Sequence, residues 1–274
     1  VIRSGALSAV SDRLWRASSC PFPTVFYNIR FLGQSSARRI HHRQCNVAHL
    51  AARYPVLGIS EIHASPAEAE SLLFAHIPTH EAYYHCGPDV AGQAFLVQRR
   101  WAQTVGIGDP HSMGTSWNHE VVCSGCAHAL WWRASGITRC ILNLYLDSRS
   151  PGLRVAQLRN ITSWIRGFQS RAHRTPDSES HQLPVKFEWL FGGDRNFTTS
   201  PDEHFSSIAT RSWQPETPTA TAWTEMETAM GLGVTLRQPN FTWDRVCRQR
   251  HGQPSCTKTL IDVVGISIET FRYV

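Results

Sequence analysis

The sequence predicts a layered α/β domain, and three observations predict it. Hydrophobic residues make up 42% of the 274 positions and include 10 Trp, enough apolar material for a core. Short β-branched and aromatic runs of strand length recur along the chain, separated by Gly, Pro and polar turns. Between some of those runs lie longer segments with apolar residues at helical spacing. No stretch approaches the roughly 18 apolar residues that span a bilayer, and 18 Gly with 15 Pro are ordinary shares, so membrane-spanning, collagen-like and low-complexity classes drop out.

Residues 1–23 show no sustained period and end in Pro21-Phe22-Pro23; they read as a leader, with a short helix near Leu14 and Trp15. Residues 24–29, TVFYNI, read as a strand. Ile40, Val47, Leu50, Ala51 and Tyr54 recur at helical spacing, predicting a helix over 36–54 with its arginines outward, and residues 56–59 form a second buried strand. Pro66 suits the first turn of a short helix ending near 76. Successive strands are expected over 93–97, 120–123, 127–132 and 138–146, joined by Gly-containing turns. Leu153, Leu158, Ile161, Ile165 and Phe168 mark an amphipathic helix, residues 169–184 a polar loop, 187–191 a strand, 200 onward a helix, and 260–268 a closing strand. Hairpins mixed with helices favour a layered sandwich over an alternating doubly wound sheet.

The charge balance of +6 and a pI near 9.0 suit an anionic partner such as nucleic acid. Only Lys186 and Lys258 are lysines; a bias this general across the chain reflects coding composition more than phosphate recognition. Eight Cys are too few for a disulfide scaffold, so reduced thiols are expected.

Polar groups stand at the ends of four buried runs: Asn28 after TVFY, Glu61 and His63 after VLGIS, Asp194 and Asn196 in FEWLFGGDRNF, and Asp262 in TLIDVVGIS. A carboxylate in such a place is desolvated unless it is paired or binds a metal. Taken singly, each reads as a cap or turn residue, and Gly192-Gly193-Asp194 as a turn.

Taken together and in order, FYNIRFLG, GISEIHAS, GQAFLVQRR, HEVVCSGCAHALWW with ILNLYLDS, GGDRN, and FTWDR with SCTKTLIDVVGIS resemble the endonuclease/exonuclease/phosphatase superfamily over about residues 24–268. The Glu-X-His form of Glu61 and His63 is most similar to the endonuclease domains of LINE-type retroelements. The resemblance implies a four-layered α/β sandwich of two mixed sheets flanked by helices. It implies Mg²⁺-dependent phosphodiester cleavage, with Mn²⁺ as a substitute, of nucleic acid and foremost DNA, in an intracellular and nuclear setting without a membrane partner. Glu61 would hold the metal. Asp194 would orient or deprotonate the attacking water, Asn28 and Asn196 would hydrogen-bond the phosphate or the metal carboxylate, and Tyr145 would contact the phosphate. His63 and Asn143 fall at substrate-binding positions of the pattern, and Asp262 would hold a histidine in its working tautomer.

Two departures accompany the match. The family closes with a Ser-Asp-His segment that has no counterpart before Val274, so residues 24–274 read as a domain short of its final strand or strands, with impaired hydrolysis expected. Arg195 occupies a position that is usually apolar. A degenerate nucleic-acid-binding remnant and a phosphoinositide or sphingolipid phosphoesterase are the alternatives.

Three further features compete for attention. Cys123-Ser124-Gly125-Cys126, with His119 and His128 nearby, has zinc-knuckle spacing, but it reads better as a hairpin turn. Trp117, Trp213 and Trp223 lie in polar segments and are the tryptophans expected at the surface. Arg38 and Arg39, followed by His41 and His42, read as a solvated helix face.

Overall fold

The computed structural model describes residues 24–29, 32, 36–87, 90–105, 118–134, 137–172, 186–197, 204–206, 216–237, 243–248, 254–259 and 262–267. The leader, Trp117, Trp213 and most of the segment expected to be helical from 200 lie outside them.

Strand β1 (Thr24–Asn28) and strand β2 (Val56–Ser60) run parallel, in register from Thr24↔Val56 to Asn28↔Ser60. Parallel neighbours need a crossover, and helix α1 (Ala37–Ala51) supplies it. Helix α2 (Pro66–Leu72) starts on a capping box: the Ser65 hydroxyl accepts from the Glu68 amide, and the Glu68 carboxylate accepts from the Ser65 amide. A 3₁₀ turn, Phe74–His76, leads into β3 (His80–Gly87) and β4 (Val90–Gln98), which complete a four-stranded sheet in the order β1-β2-β4-β3. Helix α3 (Arg99–Val105) follows at once.

A second sheet holds β5 (His119–Cys123), β6 (Ala127–Ala134), β7 (Ile137–Tyr145) and β8 (Lys186–Asp194). Helix α4 (Pro151–Ala172) follows β7, and β7 pairs parallel with β8. After β9 (His204–Ser206) and helix α5 (Thr217–Ala229), β10 (Leu232–Arg237) and β13 (Asp262–Ser267) join this sheet, giving the order β10-β13-β8-β7-β6-β5. Strands β11 (Trp243–Arg248) and β12 (Pro254–Thr259) form a small antiparallel sheet with β9.

Three hydrophobic clusters define four layers. Val47 and Ala51 of α1 and Ala69 of α2 pack on Val25, Leu57 and Leu96 of the first sheet. Phe95 and Val97 of the first sheet meet Leu130, Trp132 and Ile141 of the second. Ala129, Leu142 and Phe191 of the second sheet meet Ile161 and Ile165 of α4 and Trp223 and Met226 of α5. Alternate residues of one strand therefore serve different cores, as the period of two demands. The expected four-layered α/β sandwich is the observed architecture.

Several local expectations change. Strand β3 and helix α3 were not anticipated, α4 continues through the start of the expected loop, and residues 204–206 are strand where a helix was expected. Gly192 and Gly193 belong to β8 and do not form a turn. Phe26 of β1 lies between the sheets so closely that a Cβ on Gly192 would overlap its ring, and one on Gly58 would stand 2.6 Å from it. Gly193, at φ +134°, passes the Leu144 carbonyl where a side chain would collide. Gly192 thus lets β1 and β8 approach, and Gly193 lets β8 pass β7; the site lies at the ends of these strands.

Candidate active site at the strand ends

Asn28 ends β1, Glu61 follows β2, Tyr145 ends β7 and Asp194 ends β8, so both sheets deliver polar residues to one rim. The Asn28 amide donates to Glu61 Oε1 at 2.9 Å and reaches Asp194 Oδ2 at 3.5 Å. One side chain therefore joins carboxylates that lie 133 positions apart in sequence, one from each sheet.

The backbone around these groups is unusual. The three non-glycine residues with positive φ among the described residues are Glu61 at 57°, His63 at 43° and Asn196 at 54°. Such conformations cost on the order of 1–3 kcal/mol each and persist where surrounding contacts over-determine them. Those contacts are present. The Ile62 and His63 amides donate to the Gly92 and Ala91 carbonyls at 3.4 and 3.3 Å. The Asn196 amide donates to Asp194 Oδ1 at 2.9 Å, the Asn196 side chain donates to the Leu146 carbonyl at 2.8 Å, and the Leu146 amide donates back to the Asp194 carbonyl at 2.9 Å.

Electrostatics follow from the geometry. The Tyr145 hydroxyl donates to Glu61, and burial, with the charges of Glu61 and Asp194, raises its pKa well above the usual phenol value. Tyr145 is thereby held as a protonated donor. His63 is half-buried, and desolvation lowers its pKa against the opposing pull of Glu61.

Asn143 lies deeper, 1% exposed, with its amide donating to the Ile59 and Ala94 carbonyls at 2.8 and 3.3 Å. It ties the second sheet to the backbone of the first. Gln93 makes the reciprocal tie, donating to the Asn143 carbonyl at 2.8 Å and to that of Cys126 at 3.4 Å. Gln93 was not singled out in the sequence, although an amide at an inward position of GQAFLVQ is a signal for such a role. Asp262 stands opposite Asp194 in the β13–β8 register; its side chain lies outside the described set.

Arg195 turns away from the rim. It is 2% exposed, with its guanidinium 5.5 Å from the Phe197 ring centroid and 6.0 Å from that of Trp223. Aromatic faces thus receive the cation at a position where apolar residues are usual. Trp223, expected at the surface, is 2% exposed and packs edge-on against Phe191 and Phe197. Arg38, Arg39, His41 and His42 are solvent-exposed.

The zinc-knuckle spacing resolves as a hairpin. Cys123 and Cys126 are disulfide-bonded across the β5–β6 turn and belong to the core facing α4 and α5, which also corrects the expectation of uniformly reduced thiols. His119 and His128 instead contact Tyr83 and Phe95 between the sheets. Among the described residues, no three His, Cys, Asp or Glu side chains are arranged to hold a metal ion.

No family model and no curated protein matches the chain in sequence. Solved structures do. An AP endonuclease from Leishmania major is similar at TM-score 0.56 and 11% identity, over 98% of this chain and 91% of that one. The endonuclease domain of TRAS1, a telomere-specific non-LTR retrotransposon, is similar at TM-score 0.50 and 10% identity, over 92% and 88%. The stacking of two mixed sheets between helices, which in this chain brings Asn28, Glu61, Tyr145 and Asp194 to one rim, is the α/β fold that it shares with these two endonuclease structures.

Proposed function

We propose that the chain is a divalent-metal-dependent phosphodiester hydrolase acting on nucleic acid, foremost DNA. The observation that carries the reading is the Asn28 amide shared by Glu61 and Asp194 at the rim between the sheets. The nature of the similar structures, an AP endonuclease and a retrotransposon endonuclease domain, supports the substrate class.

The rim presents carboxylate and amide oxygens of Glu61, Asp194 and Asn28, a setting that suits Mg²⁺ or Mn²⁺, which need only one or two carboxylates and retain water. Glu61, oriented by Asn28 and Tyr145, would hold the ion. When bound, the ion neutralises charge on a phosphodiester oxygen. Asp194, fixed by the Asn196 amide, accepts a proton from water. Tyr145 stays protonated, and its single hydroxyl hydrogen would turn from Glu61 to a phosphate oxygen when substrate binds. Asn196 retains a second amide hydrogen for the same purpose, and His63 borders the entrance. Asn143 and Gln93 keep the two halves of the site at fixed separation.

Plasmid nicking with Mg²⁺ or Mn²⁺, beside calorimetric metal titration, tests this. Wild type is expected to nick and to bind the ion, and Glu61→Gln to lose about 10² to 10⁴ in rate along with metal affinity. A wild-type chain that forms no product with either ion overturns the reading.

A further inference from the structure

We propose that Cys123–Cys126 is a reversible thiol–disulfide site, reduced by low-molecular-weight thiols, whose state is transmitted to Tyr145. The inference stands on the hairpin alone and does not require the proposed hydrolysis.

The bond joins residues three apart in sequence at the β5–β6 turn. A ring this small removes little entropy from the unfolded chain, so the fold gains little from it. Among the described residues, Cys45, Cys86 and Cys140 are free. The two sulfurs also differ in access, since Cys126 is fully buried and Cys123 is half-buried. Attack from solvent therefore falls on Cys123. A small thiolate forms a bond to the Cys123 sulfur, the Cys123–Cys126 bond breaks, and Cys126 leaves as a thiolate that takes up a proton. A second small thiolate attacks the small-molecule sulfur of the mixed disulfide and frees the Cys123 thiolate, which is protonated in turn. The net change is one protein disulfide plus two small thiols to two protein thiols plus one small disulfide.

The turn carries that change inward. The Cys126 amide donates to the Cys123 carbonyl at 3.0 Å, and Gly125 takes φ +68°, so the four residues form one tight unit. The Cys126 carbonyl then accepts from the Tyr145 amide at 2.8 Å and from Gln93 Nε2 at 3.4 Å. Ser124 Oγ lies 2.9 Å from His85 Nε2 on β3 of the other sheet. Non-bonded sulfurs require van der Waals separation, so reduction widens the turn. The Cys126 carbonyl, which accepts from the Tyr145 amide at 2.8 Å, is the route by which that widening would reach the Tyr145 backbone.

The experiment uses the full chain in two parts. Alkylation under denaturing conditions, with peptide mass analysis, counts Cys123 and Cys126 thiols before and after treatment of the native chain with dithiothreitol. Amide hydrogen exchange then compares the oxidised and reduced native forms. The expected result is a pair protected from alkylation until the thiol is added, reduction without global unfolding, and exchange at Tyr145 faster by about fivefold or more in the reduced chain. A Cys123→Ser, Cys126→Ser double variant is expected to match the reduced chain and to ignore dithiothreitol. A pair alkylated without reductant, a bond that yields only when the chain unfolds, or equal Tyr145 exchange in both forms overturns the proposal.

Discussion

Two ionic clusters lie at the C-terminal end of β7, and they are built on opposite plans. Arg154, 3% exposed, meets Glu216 through Nη2 at 2.6 Å and Nε at 3.1 Å, while its Nη1 donates to the Asp147 carbonyl at 2.7 Å. Opposite charges meet there, and the guanidinium fork is used on both sides. A few residues away, Glu61 and Asp194 have the same sign and share the Asn28 amide, on backbone that includes three left-handed residues. The first cluster fastens α4 to the start of α5. The second gathers two carboxylates and left-handed backbone at a rim, the setting of the proposed cation site. One cluster pairs opposite charges between α4 and the residue before α5, and the other gathers two carboxylates around one neutral amide at the proposed site.

The comparison breaks most sharply at Asp194. Asp194→Asn keeps the shape but lowers the negative charge and removes the proton acceptor. Nicking rate is expected to fall by about 10² to 10⁴, while the unfolding free energy from urea titration stays within about 1 kcal/mol of wild type. A large loss of stability instead would make Asp194 a fastening residue like Glu216. Glu216→Gln is expected to do the reverse. It leaves the buried Arg154 charge without its counter-ion and costs about 3 kcal/mol in denaturant unfolding, with nicking per folded molecule unchanged. Gly192→Ala is expected to cost about 1–3 kcal/mol by forcing Phe26 from between the sheets. Combining it with Phe26→Ala tests the cause, because a steric origin makes the two losses less than additive.

A further effect, graded with pH, is expected from the seam between the sheets. His128 is 1% exposed, and neither ring nitrogen has a hydrogen-bond partner. Burial, with the charges of His119 and His85, pushes its pKa down to about 3. Its folded pKa lies below the unfolded value, so under acid the unfolded chain takes up a proton that the folded chain refuses. Its contribution is fully present above about pH 6.5 and is lost as pH falls toward the folded value, at up to about 1.4 kcal/mol per pH unit. His63, His80 and His119 are shifted in the same direction, each chiefly by burial. A His128→Phe chain whose unfolding midpoint falls as steeply with acid as wild type would remove His128 from this account.

Much of the architecture was legible in residue order. The runs that became β1, β2, β6, β7 and β8 carry alternating or continuous apolar residues, and the motif residues stand at their C-terminal ends, because strand-end groups meet loops and solvent. Strand β3 was missed because HEAYYHCG has five successive half-buried positions and no clean alternation; its pairing with β4 makes it a strand. Helix α5, TPTATAWTEMETA, was not located because threonine is a weak helix former, and burial of Ala222, Trp223 and Met226 against the second sheet fixes it.

By itself, the sequence singled out the polar groups that gather at the rim: Asn28, Glu61, Tyr145, Asp194 and Asn196 are readable from motif order. Tertiary structure alone decided that one amide spans Glu61 and Asp194, that Asn143 and Gln93 tie the sheets, that Arg195 and Trp223 lie in the core, and that Cys126 holds Tyr145. The physical reason is range. Periodicity and turn chemistry act over a few residues, whereas the approach of two sheets is set by side chains such as Phe26 against Gly192, which are brought together only when both sheets close on a common core.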